Sequence, residues 1–120
     1  RESPEVFDDL ATAYARASHI ADSTLGTDVD PDLCLLEAER VLFVVLNRES
    51  AAAKDSIAAG DFDAAIAALA QLRDPIDRFF EDVLVMDKDT RKRDNRLRLL
   101  NRFENAFADV ADIGAMAKKR

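Results

Sequence analysis

Apolar residues recur along this chain at helical spacing, and nowhere does the pattern alternate with period two. Val6, Leu10, Ala13, Tyr14, Ala17 and Ile20 form one stripe at intervals of three and four. Ser3 before Pro4, with Glu5, Asp8 and Asp9 in the early turns, predicts the start of that first helix. The stripe stops near Asp22, and Gly26 lies in the loop beyond. Asp30-Pro31 predicts a second helix by the same logic, running to Gly60. Within it, "VLFVVL" at 41–46 is apolar on every side, which predicts a helix buried in the middle of a bundle. A buried strand is the alternative, but the helix formers "LLEAER" and "AAAKDSIAA" flank the run without a turn residue. Asp61 predicts the cap of a third helix that Pro75 ends. Asp74-Pro75 opens a fourth, reaching about Leu84. Asp89 or Thr90 caps a fifth, reaching about Ala111, and residues 114–120 read as a frayed tail. The expectation is an all-α fold, a single helical bundle of about five helices occupying residues 1–120.

Length and composition agree with one globular domain: 120 residues, 48% apolar, 34% charged, with three Gly and three Pro. The sequence opens on Arg1 rather than Met, which reads as a piece of a longer polypeptide. Cys34 is the single cysteine, so an intrachain disulfide is excluded, in keeping with a cytoplasmic protein. One Cys and one His cannot build a Cys/His zinc cluster. His19 has no Ser or Cys at motif spacing, no Gly-rich phosphate loop appears, and the carboxylates are scattered over solvated positions. No catalytic constellation emerges, and no cofactor is expected in this chain.

Charge changes the picture more. The net charge is -7, yet residues 87–102 carry seven basic and three acidic side chains, against seven and eighteen in residues 1–86. An acidic body argues against nonspecific DNA coating or membrane anchoring. A local basic segment could still face a phosphate backbone.

Two stretches have further pattern. "GDFDAAIAALAQLRDP" at 60–75 is similar to half of a tetratricopeptide repeat, but such repeats need about three copies and no second one is visible. A helical hairpin accounts for it better. In residues 72–113, Leu72-Arg73-Asp74-Pro75-Ile76-Asp77, Phe79-Phe80-Glu81-Asp82-Val83, Val85-Met86, Asn95-Arg96-Leu97 with Leu99-Leu100, and Val110-Ala111-Asp112-Ile113 follow one another. This succession resembles the C-terminal end of the bacterial glycyl-tRNA synthetase beta subunit. Residues 1–71 match more loosely, with His19 where Asn is usual. Leu84 stands where Met is common, and Gly114 where Ser is common.

The resemblance implies a helical anticodon-binding domain of the DALR type, a part of glycine–tRNA ligase that supports aminoacylation without a catalytic site of its own. It implies glycine tRNA and, through the full beta chain, the alpha subunit as partners, with ATP and Mg used at that alpha subunit. The isolated chain is expected to be a monomer. The alternatives are a helical repeat-like protein-interaction module with no RNA ligand, and a purely structural cap.

A helical wheel centred on Leu100 divides the basic residues of the fifth helix. Arg93 and Arg96 fall on the packed side with Leu97 and Phe103, so they are expected in structural ion pairs, with Asp77 or Asp82 as partners. Arg91, Arg98 and Arg102 fall opposite and are expected to meet tRNA phosphates. Asn95, Arg16 and His19 are candidates for contacts to bases. Phe79 and Phe80 could stack on bases, but adjacent helix positions diverge, so at least one belongs to the core.

Overall fold

A computed structural model describes the backbone of residues 4–118 and the side chains of residues 8–111. The described residues form five α-helices and no strand: α1 Pro4–Ile20, α2 Glu37–Ala58, α3 Phe62–Ala70, α4 Arg73–Asp82 and α5 Thr90–Lys118. Ser3, the expected cap of α1, lies outside the described residues. Between α1 and α2, residues 21–36 form an ordered connection with two short 3-10 turns, Ser23–Leu25 and Pro31–Leu33.

Several boundaries differ from expectation. Asp30 does cap a Pro-initiated turn, accepting from the Asp32 N–H at 2.9 Å, but that turn ends at Leu33 and α2 begins at Glu37. The same Asp-Pro signature starts 3-10 and α turns alike. α3 ends at Ala70, well before Pro75, in a tight turn closed by Leu72 N–H to the Leu69 carbonyl at 3.0 Å. Asp74 caps nothing. Leu72 already has helical geometry, and α4 begins at Arg73 with Pro75 inside its first turn. That position tolerates proline, because the first N–H groups of a helix have no intrahelical partner. Asp89 caps α5 as expected, accepting from the Arg91 N–H at 3.0 Å. The α5 backbone stays helical to Lys118, past Ala111 where the pattern placed its end.

The core runs along α5. Leu97, Leu99, Leu100, Phe103, Phe107 and Val110 are buried against Leu10, Ala13 and Ala17 of α1, Leu42 and Leu46 of α2, and Leu69 of α3. Phe79 and Ile76 bring α4 onto α2, and Phe79 is fully buried while Phe80 is only partly so. Tyr14 stacks on Phe107 at 4.9 Å between ring centres. Losing a ring such as Phe103 should cost about 3–5 kcal/mol. The "VLFVVL" segment is helical but not enclosed: Leu42 and Leu46 are buried, whereas Val44 is 57% exposed. α3, α4 and α5 cover one side of α2, and the other side stays open.

The α2–α3 hairpin turns at Gly60, whose φ of +79° suits glycine. Asp61 then caps α3, accepting from the Ala64 N–H at 3.1 Å. Residues 60–75 are thus one hairpin arm and its turn.

Candidate nucleic-acid interface

α5 carries most of the expected interface residues, and the structure sorts them differently from the wheel. Arg91 is exposed, with 79% of its side chain accessible, and its guanidinium lies 4.0 Å from Asp89. Arg98 and Arg102 do not point into open solvent. Residues 21–36 cover that side of the helix. Arg98 Nε donates to the Leu25 carbonyl at 3.1 Å, and Arg102 Nε to the Thr27 carbonyl at 2.7 Å. Arg102 also donates through Nη1 to Asn47 Oδ1 and lies 5.4 Å from the centre of the Phe43 ring.

Asn95 is fully buried and cannot meet a base. Its Oδ1 accepts from the Asp30 N–H at 2.7 Å, and its Nδ2 donates to the Asp30 carbonyl at 3.1 Å. Sequence reasoning missed Asn101, which is also buried and donates to the carbonyls of Asp22 and Gly26 at 2.9 and 2.7 Å. A polar residue inside the apolar run "LLNRF" was the available signal. Asn95, Arg98, Asn101 and Arg102 thus grip the backbone of the α1–α2 connection turn by turn.

Arg96 is a buried structural cation, as expected, but its partners are not Asp77 or Asp82. Arg96 Nη2 donates to Glu39 Oε1 at 3.2 Å, and Nη1 to the Leu84 carbonyl at 2.7 Å and Asp87 Oδ2 at 3.4 Å. The Arg96 side chain is 5% exposed and that of Glu39 is inaccessible. Glu39 Oε1 also accepts from the Leu36 N–H at 3.2 Å, which ties the start of α2 into the pair. Glu39 Oε2 and Arg96 Nε have no hydrogen-bond partner. Asp77 is exposed, and Asp82 meets Arg78 on its own helix at 3.6 Å. Arg93 is half-exposed and pairs with its neighbour Asp94, at 3.2 Å. Asp77 and Asp82 lie on α4, whereas Arg96 faces α2 and the α4–α5 connection.

Among the described residues, three titrations are shifted. The N–H of Asp89, and to a lesser degree Arg96 and Lys92, hold the Asp87 carboxyl below its usual range. The Thr24 hydroxyl and then the Thr24 N–H do the same for Asp22. Burial, and then Glu39, push the Cys34 thiol up.

Arg16 and His19 are exposed on α1, as their candidacy requires. Arg16 lies over the half-exposed Phe80 ring, 4.2 Å from its centre, and so presents a flat guanidinium backed by an aromatic ring. On another side, between α2 and the C-terminal half of α5, a half-open cleft of about 360 Å³ is floored by Leu46, Ile57 and Val110. Lys54, Ser50, Asn105 and Asp109 stand along it, with Arg102 at one end. The described residues contain no group of three or more side chains able to hold a metal ion. Among the described residues, no helix is long and apolar enough to cross a membrane.

A profile of the family described as "DALR anticodon binding domain" matches residues 10–113. Among curated proteins, the chain is 38% identical over 112 residues to the glycine–tRNA ligase beta subunit of Desulforudis audaxviator, covering 93% of this chain and 16% of that one. It is 41% identical over 110 residues to the protein of the same name from Aeromonas hydrophila, covering 89% of this chain and 16% of that one. With that of Vibrio vulnificus it shares 37% over 117 residues, or 95% and 17%. The chain therefore spans about a sixth of the length of the curated relatives it matches. No solved structure matches it.

Proposed function

This chain belongs to the family of DALR anticodon binding domains, and from that premise we propose that it holds the anticodon arm of glycine tRNA as part of a glycine–tRNA ligase beta subunit. The observation that carries the reading is the similarity along nearly the whole domain to proteins of that name. The helical repeat-like interaction module loses its main support, because the repeat-like stretch is one arm of a single α2–α3 hairpin.

In this reading the domain contributes affinity and orientation. Adenylation with ATP and Mg is the work of the alpha subunit, reached through the rest of the beta chain, in the cytoplasm. Arg91, Lys54 and the guanidinium nitrogens that Arg98 and Arg102 do not give to Leu25, Thr27 and Asn47 supply phosphate contacts, which position RNA without reading it. Arg16 on Phe80 offers a stacking surface for an unpaired base, with His19 one turn away. Asn95 is not part of the interface.

The test is a titration of the isotope-labelled chain with the anticodon stem–loop of glycine tRNA and with an anticodon-swapped stem–loop, followed by NMR at RNA concentrations up to millimolar. Saturating shifts with tighter binding to the glycine sequence are expected. Equal affinity for the two, or no shift with either, would overturn the reading.

A further inference from the structure

One polar stripe runs along α5 on the side away from Leu100. Asn95, Arg98, Arg102, Asn105 and Asp109 follow one another at intervals of three and four, so they share a face. The first three hold main chain of the α1–α2 connection. Asn95 takes both the N–H and the carbonyl of Asp30, Arg98 the Leu25 carbonyl, and Arg102 the Thr27 carbonyl. Between the points held by Arg102 and Asn95, Val29 buries its side chain in the core. The covered part of the stripe ends at Thr27, and the α2–α5 cleft begins there, with Thr27 and Arg102 in its wall. Asn105 and Asp109 continue the stripe along the cleft, over its aliphatic floor of Leu46, Ile57 and Val110. Both are exposed, and among the described residues neither has a hydrogen-bond or ion-pair partner.

We infer that the cleft docks a second short stretch of main chain, supplied by the part of the longer polypeptide outside residues 1–120; the inference rests on the function proposed above in taking this domain as a piece of a ligase subunit. Asn105 repeats the amide of Asn95 and can take the N–H and the carbonyl of one residue in the same way. Asp109 offers only acceptors and takes a further N–H in a charge-assisted bond. An aliphatic side chain beside the gripped residue covers the floor, as Val29 enters the core beside Asp30. RNA suits the cleft poorly. Among the described residues no aromatic ring lines it for a base to stack on, and the Asp109 carboxylate repels a phosphate. Lys54 stands on the rim and stays free for the phosphate contact assigned to it. Size decides between a tethered occupant and a free one. The cleft holds about 360 Å³, the small end for ligand sites, whereas stable complexes of separate proteins bury about 800 Å² on each partner. A segment of the same polypeptide is presented at roughly millimolar effective concentration, so a small contact suffices. About five-sixths of each curated relative lies outside the matched part and can supply it.

The experiment uses the full-length polypeptide in its ligase complex, with Lys54→p-benzoylphenylalanine as a photo-crosslinker on the rim of the cleft. Illumination, digestion and mass spectrometry should find one crosslinked segment of the same polypeptide, outside residues 1–120, with and without glycine tRNA. Hydrogen exchange in that segment should speed up about fivefold in Asn105→Ala, which removes its main-chain partner, and stay unchanged in Asp77→Ala. Asn105 and Asp77 are both exposed, so these variants should fold. Crosslinks confined to residues 1–120, to RNA or to a second protein chain would overturn the inference, as would exchange in the segment that Asn105→Ala leaves unchanged. The parent complex is titrated in parallel with glycine tRNA and an anticodon-swapped tRNA. If it prefers the glycine anticodon but yields no such crosslink, this inference fails while the proposed function stands. If the crosslink forms in a complex that does not discriminate, the anticodon role fails and the docking stands.

Discussion

Removing the Arg96 guanidinium should destabilise this domain more than removing any other basic side chain. In Arg96→Met the apolar stem is kept and only the charge and its donors are lost. Glu39 is then left without its cation in a site with no solvent access, holding only the Leu36 N–H on Oε1. The Leu84 carbonyl loses its 2.7 Å donor as well. The contact with Asp87 counts for little, since that side chain is 29% exposed. Breaking a buried pair from one side costs about 3–5 kcal/mol, mostly for the stranded charge. Unfolding entropy of about 2.1 cal/mol/K per residue turns that into a fall in Tm of about 12–20 °C for a chain of this length. Thermal melts by circular dichroism, with urea titrations for the free energy, measure it. The double variant Glu39→Met/Arg96→Met removes both charges and should recover to within about 2 kcal/mol of the parent. A single variant that costs under about 1 kcal/mol, or a double variant as poor as the two singles added, would refute the argument. Either result would mean that water reaches Glu39.

Arg102→Ala should cost about 1–3 kcal/mol by stranding the Thr27 carbonyl, and should speed amide exchange in residues 21–36; Arg91→Ala should stay within about 0.5 kcal/mol and leave that exchange unchanged. Cys34 has a folded pKa raised above its ordinary value of 9.0, so its effect on stability is nil well below that pH and becomes a loss as the pH climbs past 9.0, where only the unfolded chain ionises freely. Chemical denaturation between pH 7 and 10.5 should show this fall, and Cys34→Ala should remove it.

Much of the architecture was legible because the cues are local. Asp61 and Asp89 announce their helices through a single side-chain bond each, and the stripe of α1 repeats without interruption. The failures share a cause, which is that local cues do not say what lies against a surface. A wheel gave Arg98 and Arg102 their angle correctly relative to Leu100. It could not know that residues 21–36 close over that angle, because those residues lie far away in sequence. Glu39 went unnoticed for the same reason: a carboxylate early in a helix is ordinary, and only the return of α5 turns it into the partner of Arg96. Pro75 misled because a proline three residues into a helix and one at its first position look alike in sequence. Of the candidate site, Arg16, His19 and Arg91 are exposed as expected, Asn95 is buried, and the α2–α5 cleft depends on a pairing of helices that no motif announces.

The grip of α5 on the α1–α2 connection has an evolutionary side. Asn95, Arg98, Asn101 and Arg102 reach main-chain atoms of residues 22–30, and a carbonyl is the same whichever residue bears it. The other exposed side chains of that connection can therefore drift without moving its path, as long as Gly26, at φ +78°, keeps the turn, Asp22 and Asp30 keep their caps, and Val29 and Cys34 stay in the core. Drift is costlier at the four gripping residues, because each change there takes a partner from a carbonyl or amide of the connection. Substitutions should accumulate on one strand of this embrace and be purged from the other, so that the loop varies in sequence while its shape is inherited through the helix.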